Sequence, residues 1–508
     1  MRWRGCRYRS AGPIGLCVLL WSGLSAANDA LPGLVESGNI AAALAVIEEG
    51  SDVNARSPDG TTALHWAVHH GNSMLVEALL ARGADATVSN DYGATPLSVA
   101  AVEADRRIVE ALLNAGADVD SPNQEGQTAL MVVARTGRVD TARLLLERGA
   151  TVNATEQWGG QSALMWAAAQ KQPDMVSVLI EHGAAVDARG RAHDWQRRVT
   201  AEPRIKIMHA GGFTPLLYAA REGCEACIER LAAGGADLDL SDPDGITPLV
   251  LALLNRHFDA AATLIELGAD VNRWDWWGRS PLFVAIDLNR VPSSRRGDLP
   301  SLDDASGLDI ARMLLERGAN VDMRLKQQPP MRQEPGDRGF TDGSPDVLVI
   351  TIGATAMHTA AKASDDAAIR LLLEYGANVT LPNVFGITPM LAAAGVGHKY
   401  GIFKDYPTRG RYKTGEDAVT TMKILLAAGA SLHDRTGRLA AEFQRPPLDG
   451  LTAPHGAAAE GWSEAILFLH ERGLDINDAS RDGSTPRDLA ILRERPEMIA
   501  LLDELIAD

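Results

Sequence analysis

The sequence is poor in aromatic residues and in cysteine, and it lacks the common catalytic signatures. Aromatic residues make up 5% of its 508 positions, so small and aliphatic side chains must build most of the core. Only two of the four cysteines follow residue 27, which is too few thiols for a zinc site. No nucleophile elbow, His-Glu-x-x-His pair or P-loop is present. The sequence therefore predicts a protein that is not an enzyme and that has no cofactor or metal.

Basic residues are outnumbered by acidic ones. The formal net charge is −17 at pH 7, which argues against a nucleic acid as partner. Hydrophobic residues make up 46%, enough for a large core and too many for a disordered chain. After residue 27, no apolar run is long enough to cross a bilayer, so no membrane span is expected in the mature chain.

The first 27 residues have the pattern of a secretory signal peptide. Four arginines come first, an apolar run follows at residues 14–20, and small residues precede Ala27. We expect cleavage after Ala27 and a periplasmic or secreted mature chain of residues 28–508. Its net charge would be −21, because the segment contains four arginines and no acidic residue. An uncleaved membrane anchor is the alternative, which the shortness of the apolar run disfavours.

A fixed period dominates the chain after residue 29. A Gly-x-Thr/Ser-Pro/Ala-Leu motif, or a weaker copy of it, begins at Gly60, Gly93, Gly126, Gly160, Gly212, Gly245, Gly278, Gly353, Gly386, Gly450 and Gly483. Uninterrupted copies lie 33 or 34 residues apart. The Thr or Ser predicts a helix N-cap, and a second apolar helix ends at a glycine such as Gly83. One such unit cannot bury its own apolar face, so the units must stack.

In its period, its Thr-Pro-Leu motif and its Gly-Ala-Asp-Val-Asn endings, the sequence resembles the ankyrin-repeat family. The resemblance covers nearly all of residues 29–508, with about eleven to twelve repeats. It implies an all-α solenoid of stacked helix-turn-helix units with short β-hairpin fingers. It also implies a concave surface, formed by the fingers and the inner helices, that binds a protein or peptide partner. We expect a monomeric, exported scaffold, and the alternative is a soluble receptor for a small ligand or peptide.

Five insertions interrupt the period within residues 28–508. The intervals between helix-ending glycines place them near residues 190–210, 291–307, 324–349, 396–417 and 437–447. Loops of this length inside a compact array are usually functional or disordered. The fourth insertion mixes aromatic and basic residues, among them Lys413, and partner contact or self-packing is favoured there over nucleic-acid binding.

Residues beside the turn glycine vary in ankyrin repeats because they face the partner. The resemblance therefore predicts a partner-binding set of Tyr92, Trp158, Phe213, Trp276, Trp277, Arg279 and Phe385. Large exposed aromatic side chains often contribute most of the binding energy at interfaces. The alternative is that the insertions cover these residues and form a second core. For Trp66, Trp166 and Trp462, which fall on helix faces, packing is favoured over partner contact.

Two further sets of residues have local explanations. Cys224 and Cys227 lie at the start of a second helix, where a local disulfide, reduced core thiols and a redox function are the alternatives. His65, His358 and His455 each follow a threonine by three positions. The family resemblance implies that these histidines make structural hydrogen bonds and do not bind a metal.

Overall fold

The computed structural model describes residues 31–103, 105–192, 211–289, 303–327, 352–397, 413–437 and 449–507. These residues form twenty-four α-helices in twelve successive pairs, which confirms the all-α prediction. The first helix of a pair is termed the inner helix and the second the outer helix. A finger is the segment between an outer helix and the next inner helix. The chain clusters into two compact units, residues 1–124 and 125–508.

The first unit contains three helix pairs in its described part. They are α1 (Leu31–Glu36) with α2 (Ile40–Glu48), α3 (Ala63–His69) with α4 (Ser73–Ala81), and α5 (Pro96–Glu103) with α6 (Arg106–Asn114). Inner helices pack on inner helices and outer helices on outer ones, α3 on α1 and α5 and α4 on α2 and α6. The unit thus has two helical layers.

The second unit also has two helical layers of its own. Its inner helices are α7 (Ala129–Thr136), α9 (Ala163–Ala169), α11 (Pro215–Glu222), α13 (Pro248–Leu254), α15 (Pro281–Asn289), α17 (Ala356–Ala363), α19 (Pro389–Ala393), α21 (Ala453–Glu460) and α23 (Pro486–Leu492). Its outer helices are α8 (Val139–Glu147), α10 (Pro173–Glu181), α12 (Glu225–Ala233), α14 (Phe258–Glu266), α16 (Gly307–Glu316), α18 (Asp366–Glu374), α20 (Gly415–Ala427), α22 (Ser463–Glu471) and α24 (Pro496–Ala507). No helix in the described ranges is long and apolar enough to cross a membrane.

The helix ends follow the predicted signals. The Thr214 hydroxyl caps α11 by accepting a hydrogen bond from the Leu217 N–H at 3.2 Å, and Pro215 takes the first helical position. The turn glycine Gly278 has a φ of 83°, which L side chains rarely adopt. A Cβ there would also lie 2.5 Å from the backbone nitrogen of Lys326 in the next finger. Glycine is therefore required by both conformation and close approach.

The fingers are tight turns, shorter than the β-hairpins that were predicted. Within the described residues, isolated bridges join Arg56 to Thr62, Thr155 to Ser162 and Ala192 to Gly211, without continuous strands. The physical reason is that side chains satisfy the finger backbone. The Asp275 carboxylate accepts from the N–H groups of Trp277 and Arg279, at 3.0 and 2.9 Å, so no ladder partner is needed.

The insertions lie mostly outside the described residues, in the gaps 193–210, 290–302, 328–351, 398–412 and 438–448. Two of these gaps separate the helices of one pair, α15 from α16 and α19 from α20, and the other three lie in fingers. The fourth insertion was predicted to extend to residue 417, but α20 begins earlier, at Gly415. Thr414 caps this helix by accepting from the Asp417 N–H at 3.1 Å, which ends the loop there.

Candidate partner-binding surface

Three of the seven predicted partner-binding residues are exposed at the fingers. Tyr92 in the first unit is 64% exposed, and Trp158 and Trp276 in the second unit are 75% and 44% exposed. Trp276 stands two positions before its turn glycine, and its N–H donates to the carbonyl of Asp244 in the preceding finger at 2.9 Å. This backbone contact fixes the finger while the indole remains accessible.

The other four predicted residues, Phe213, Trp277, Arg279 and Phe385, are buried, with exposures between 4% and 9%. The expectation that they face a partner is therefore wrong for these four. Trp277 and Phe385 stand directly before their turn glycines and are covered by the next finger, whereas Tyr92, directly before Gly93, is exposed. Lys326 donates its N–H to the Trp277 carbonyl at 2.9 Å, and Gly437 donates to the Phe385 carbonyl at 3.0 Å. Phe213 packs against Leu217 and Leu251 on the inner helices.

Arg279 has a structural partner inside its own finger. Its Nε lies 2.6 Å from Asp275 Oδ2, and its guanidinium lies 4.9 Å from the centre of the Trp277 ring. Burial raises the pKa of Asp275, and the charge of Arg279 opposes that rise. Arg279 therefore compensates a buried carboxylate and covers an indole.

The inner helices carry partly accessible aromatic residues outside the predicted partner-binding set, although packing was predicted for one of them, Trp166. Trp166 and Tyr218 each lie four positions after an inner-helix N-cap, and both are half-buried. The guanidinium of Arg135 lies 5.7 Å from the Trp166 ring centre, and that of Arg221 lies 4.9 Å from the Tyr218 ring centre. Aligning the repeats on their N-caps would have revealed this shared position.

A cavity of about 280 Å³ opens beside Tyr218. Its lining consists of Gly211, Phe213, Tyr218, Arg221, Leu251 and Asn255. The Tyr218 hydroxyl accepts a hydrogen bond from the Gln161 side-chain amide at 2.5 Å, and burial raises the pKa of Tyr218. The Arg221 guanidinium also lies 5.7 Å from the Phe213 ring centre. Aromatic faces and a held guanidinium suit non-covalent binding of a flat or anionic group.

The three histidines make the structural hydrogen bonds that were predicted. The His358 Nδ1 accepts from the Thr355 N–H at 3.1 Å, so its Nε2 carries the proton and donates to the Ile387 carbonyl at 3.0 Å. Burial lowers the pKa of His358 to about 4, so the ring is neutral at pH 7. His65 and His455 make the same contacts. The described residues contain no cluster of three metal-binding side chains.

Cys224 and Cys227 are joined by a disulfide, which is the first of the three alternatives considered. Cys224 is the N-cap of α12, and its Sγ accepts from the Cys227 N–H at 3.3 Å. Cys227 is fully buried. The bridge thus replaces the Asn or Asp cap of other outer helices, such as Asn72 of α4.

Lys413, from the end of the fourth insertion, is held by the protein itself. Its Nζ donates to the Ala393 carbonyl at 2.7 Å and to the Ala361 carbonyl at 3.3 Å, at the C-terminal ends of α19 and α17. The ammonium also lies 4.8 Å from the ring centre of Trp462, which is buried as predicted. Burial lowers the pKa of Lys413 to about 7, although the carboxylate of Glu460 opposes this shift. Lys413 therefore packs against its own chain, which is one of the two alternatives predicted for this insertion. The other aromatic and basic residues of the insertion lie outside the described ranges.

Comparison with known families agrees with this architecture. A model of three ankyrin-repeat copies matches residues 33–123, 101–190, 200–275 and 216–325, and a single-repeat model matches residues 352–384. More than half of the chain is matched. The chain belongs to the ankyrin-repeat family.

Several proteins of known name share part of the array. Inversin of Homo sapiens is 32% identical over 192 residues, 35% of this chain and 16% of inversin. The B-cell lymphoma 3 protein homolog of Mus musculus is 30% identical over 200 residues, 38% of this chain and 35% of that protein. The palmitoyltransferase ZDHHC13 of Danio rerio is 32% identical over 129 residues, 22% of this chain and 20% of that protein. The crystal structure of the human ASB11 ankyrin repeat domain has a TM-score of 0.39 at 25% identity, covering 47% of this chain and 98% of the domain.

These matches define a class. The chain covers between 16% and 35% of the length of these three relatives, so their complete activities are not transferred to it. What they share with it is the repeat array, which supports a scaffold for protein–protein interaction. The expected lack of catalytic activity stays a prediction, since one relative is a palmitoyltransferase by name.

Proposed function

We propose that this chain is an exported ankyrin-repeat scaffold that binds a protein or peptide partner through its fingers and inner helices. The observation that supports this most strongly is the exposure of Trp158 and Trp276 at the fingers of the second unit. The chain has ten tryptophans in all, and an exposed indole leaves a large apolar surface in water. Such side chains are typical anchors of interfaces. The insertions narrow the choice of partner.

Export is supported by two features. Residues 1–27 have the charge and hydropathy pattern of a cleaved signal, and the Cys224–Cys227 disulfide fits an oxidising compartment. N-terminal sequencing of the protein from the exported fraction of its native cell tests this proposal. We expect the first residue to be Asn28. Recovery of the chain only from the cytosol, with Met1 retained, contradicts it.

Capture from the exported fraction tests the interface. The mature chain is compared with a Trp158→Ala/Trp276→Ala variant and with a control, Leu467→Ala/Ile506→Ala, which removes exposed apolar side chains from the outer helices α22 and α24. A partner retained by the parent and the control is purified, and its affinity for all three proteins is measured. We expect at least about a tenfold loss for the tryptophan variant alone. Equal affinities exclude the finger tryptophans as the contact surface.

The cavity beside Tyr218 favours a second candidate, a receptor for a small ligand. Its volume of about 280 Å³ suits one small molecule, and its lining combines rings with a guanidinium. Thermal stabilisation by members of a metabolite panel, lost in Tyr218→Ala but retained in Trp158→Ala, supports this candidate. If no compound of the panel raises the unfolding temperature, the small-ligand receptor is excluded.

A further inference from the structure

Two arginines occupy the same register on alternate inner helices of the second unit. Arg135 lies seven positions after the N-cap Thr128 of α7, and Arg221 lies seven positions after the N-cap Thr214 of α11. Because the two helices have the same cap and the same role in the stack, both residues leave the backbone at equivalent positions of the inner-helix layer. Helix α9 packs against both α7 and α11 and separates them.

Both guanidiniums rest on aromatic rings, that of Arg135 on a ring of the neighbouring helix α9 and that of Arg221 on a ring of its own helix α11. Arg135 lies over Trp166, and Arg221 lies over Tyr218 and Phe213. Each arginine with its rings is termed a station. Stacking holds the planar guanidinium in place and leaves its N–H edge available, which reduces the ordering cost of binding a carboxylate.

Only some of the guanidinium N–H groups of the two arginines have partners among the described residues. Arg135 is exposed and forms no ion pair with any residue in the described ranges. Within the described residues, Arg221 pairs with Glu222, from its Nε to Glu222 Oε1 at 2.7 Å, and its side chain is 40% exposed. A guanidinium has five N–H donors, so the Glu222 contact leaves donors at the mouth of the 280 Å³ cavity.

Helix spacing sets the distance between the stations. Packed helices lie about 8–10 Å apart, so two intervals across α9 give about 16–20 Å. An extended peptide advances about 3.3 Å per residue, so the same distance takes about five or six residues. The two stations can therefore bind the side chains of two peptide residues that are about five or six positions apart.

We propose that the inner-helix face of the second unit binds an extended peptide segment with two carboxylates about six residues apart, one at Arg135 and one at Arg221. This rests on the proposed scaffold function and names the chemistry of the partner. The net charge of the chain also restricts the composition of the peptide. The chain has a net charge of −17, which repels a uniformly acidic segment. The residues between and beside the two carboxylates are therefore neutral or basic.

Selection from a library of random peptides, displayed against residues 28–508, tests the inference without assuming a sequence. We expect the selected peptides to share an acidic pair at the stated interval within an otherwise neutral or basic segment. Synthetic peptides with two glutamates about three, six or nine residues apart then measure the interval directly, and affinity should be highest near six. Affinity that does not depend on the interval overturns the proposal.

Substitution of each arginine shows which of the two binds which carboxylate of the peptide. Arg135→Gln and Arg221→Gln should each weaken the best peptide by about tenfold or more. The matched control is Arg143→Gln on the outer helix α8, where an exposed arginine pairs with Glu181 and no loss is expected. A peptide with its first glutamate changed to glutamine should lose sensitivity to one arginine variant only. Equal losses in all three variants contradict site-specific recognition.

Failure of this inference is distinguishable from failure of the scaffold function. Selected peptides without an acidic pair, whose binding depends on Trp158 or Trp276, refute the stations and leave the scaffold proposal standing. A selection that yields no peptide refutes the stations. Only a simultaneous absence of any captured partner removes the scaffold proposal as well.

Discussion

The fingers at residues 156–161 and 275–279 use the same turn chemistry but treat their tryptophans differently. In the first, Glu156 Oε1 accepts from the Gly159 and Gln161 N–H groups at 2.7 and 2.9 Å. In the second, the carboxylate of Asp275 takes the corresponding role. Trp158 is nevertheless 75% exposed, whereas Trp277 is 7% exposed.

One extra residue explains the contrast. The turn glycines Gly126 and Gly160 are 34 residues apart, one more than the usual 33. The next finger bonds to the carbonyl of Gly159, through the Arg191 N–H at 2.6 Å, and so Gly159 takes the covered place that Trp277 has in the other finger. Gln157 takes the place of Trp276, because its N–H donates to the Glu125 carbonyl of the preceding finger at 3.5 Å. Trp158 is the extra residue between Gln157 and Gly159, and its indole is exposed. Between these two fingers, the added residue is therefore what leaves a tryptophan available to a partner.

The largest effect expected from this comparison is on stability. Trp277→Ala should lower the free energy of unfolding by about 3–5 kcal/mol, because it leaves a cavity between two fingers. Trp158→Ala should change it by less than about 0.5 kcal/mol, since the indole is exposed. Urea unfolding of the mature chain, followed by circular dichroism, measures both. Similar losses in the two variants contradict the assignment of covered and exposed places.

The residue after the turn glycine gives a second, smaller contrast. Arg279→Gln should cost about 3 kcal/mol, because it leaves the carboxylate of Asp275 buried without its partner. Gln161→Ala, at the equivalent place, should cost about 1 kcal/mol through the lost hydrogen bond to Tyr218. The Arg279→Gln loss should shrink at lower pH, where Asp275 is protonated. A loss that does not vary with pH argues against an uncompensated charge.

A third finger, residues 242–246, has the turn carboxylate but no arginine at the position of Arg279. Burial is the largest cause that raises the pKa of Asp242 from 3.8 to about 6, and the carboxylate of Asp244 adds to the rise. The folded chain therefore binds this proton more tightly than the unfolded chain. The associated stability is complete below about pH 4 and is lost as the pH rises through 6.

Asp242→Asn should therefore stabilise the protein by about 1 kcal/mol at pH 7 and have little effect at pH 4. Asparagine fits the turn, because the Asn383 side chain accepts from the Phe385 and Ile387 N–H groups in its own finger. Urea unfolding at both pH values provides the measurement. A stabilisation of the same size at pH 4 would show that the charge of Asp242 is not its cause.

The smallest expected effect is on the quenching of tryptophan fluorescence. Trp158→Phe should remove a component of tryptophan fluorescence that acrylamide quenches strongly, whereas Trp277→Phe should leave quenching nearly unchanged. Both substitutions retain an aromatic ring, so changes in fold are limited. Stronger quenching of Trp277 than of Trp158 would reverse the comparison.

Much of the fold could be predicted because its signals are local. A threonine cap, a proline at the first helical position and a glycine at the helix end act on residues within one turn, and their repetition showed where each unit lies. The finger residues were harder to predict. Trp276 and Trp277 are adjacent in the sequence, but one is exposed and the other is covered by a finger about fifty residues away, at Lys326. No property of the pair itself distinguishes them.

The sequence alone determined the repeat, its helix boundaries, the histidine contacts and the candidate disulfide, because each depends on short-range stereochemistry repeated at a constant period. Only the tertiary structure decided which aromatic residues remain accessible and which cations lie over them. Arg135 meets Trp166 across two inner helices, and Arg221 meets Phe213 across a finger and a helix. Such contacts depend on how neighbouring repeats stack and on the positions of the insertions. Both are determined by residues that are far apart in the sequence.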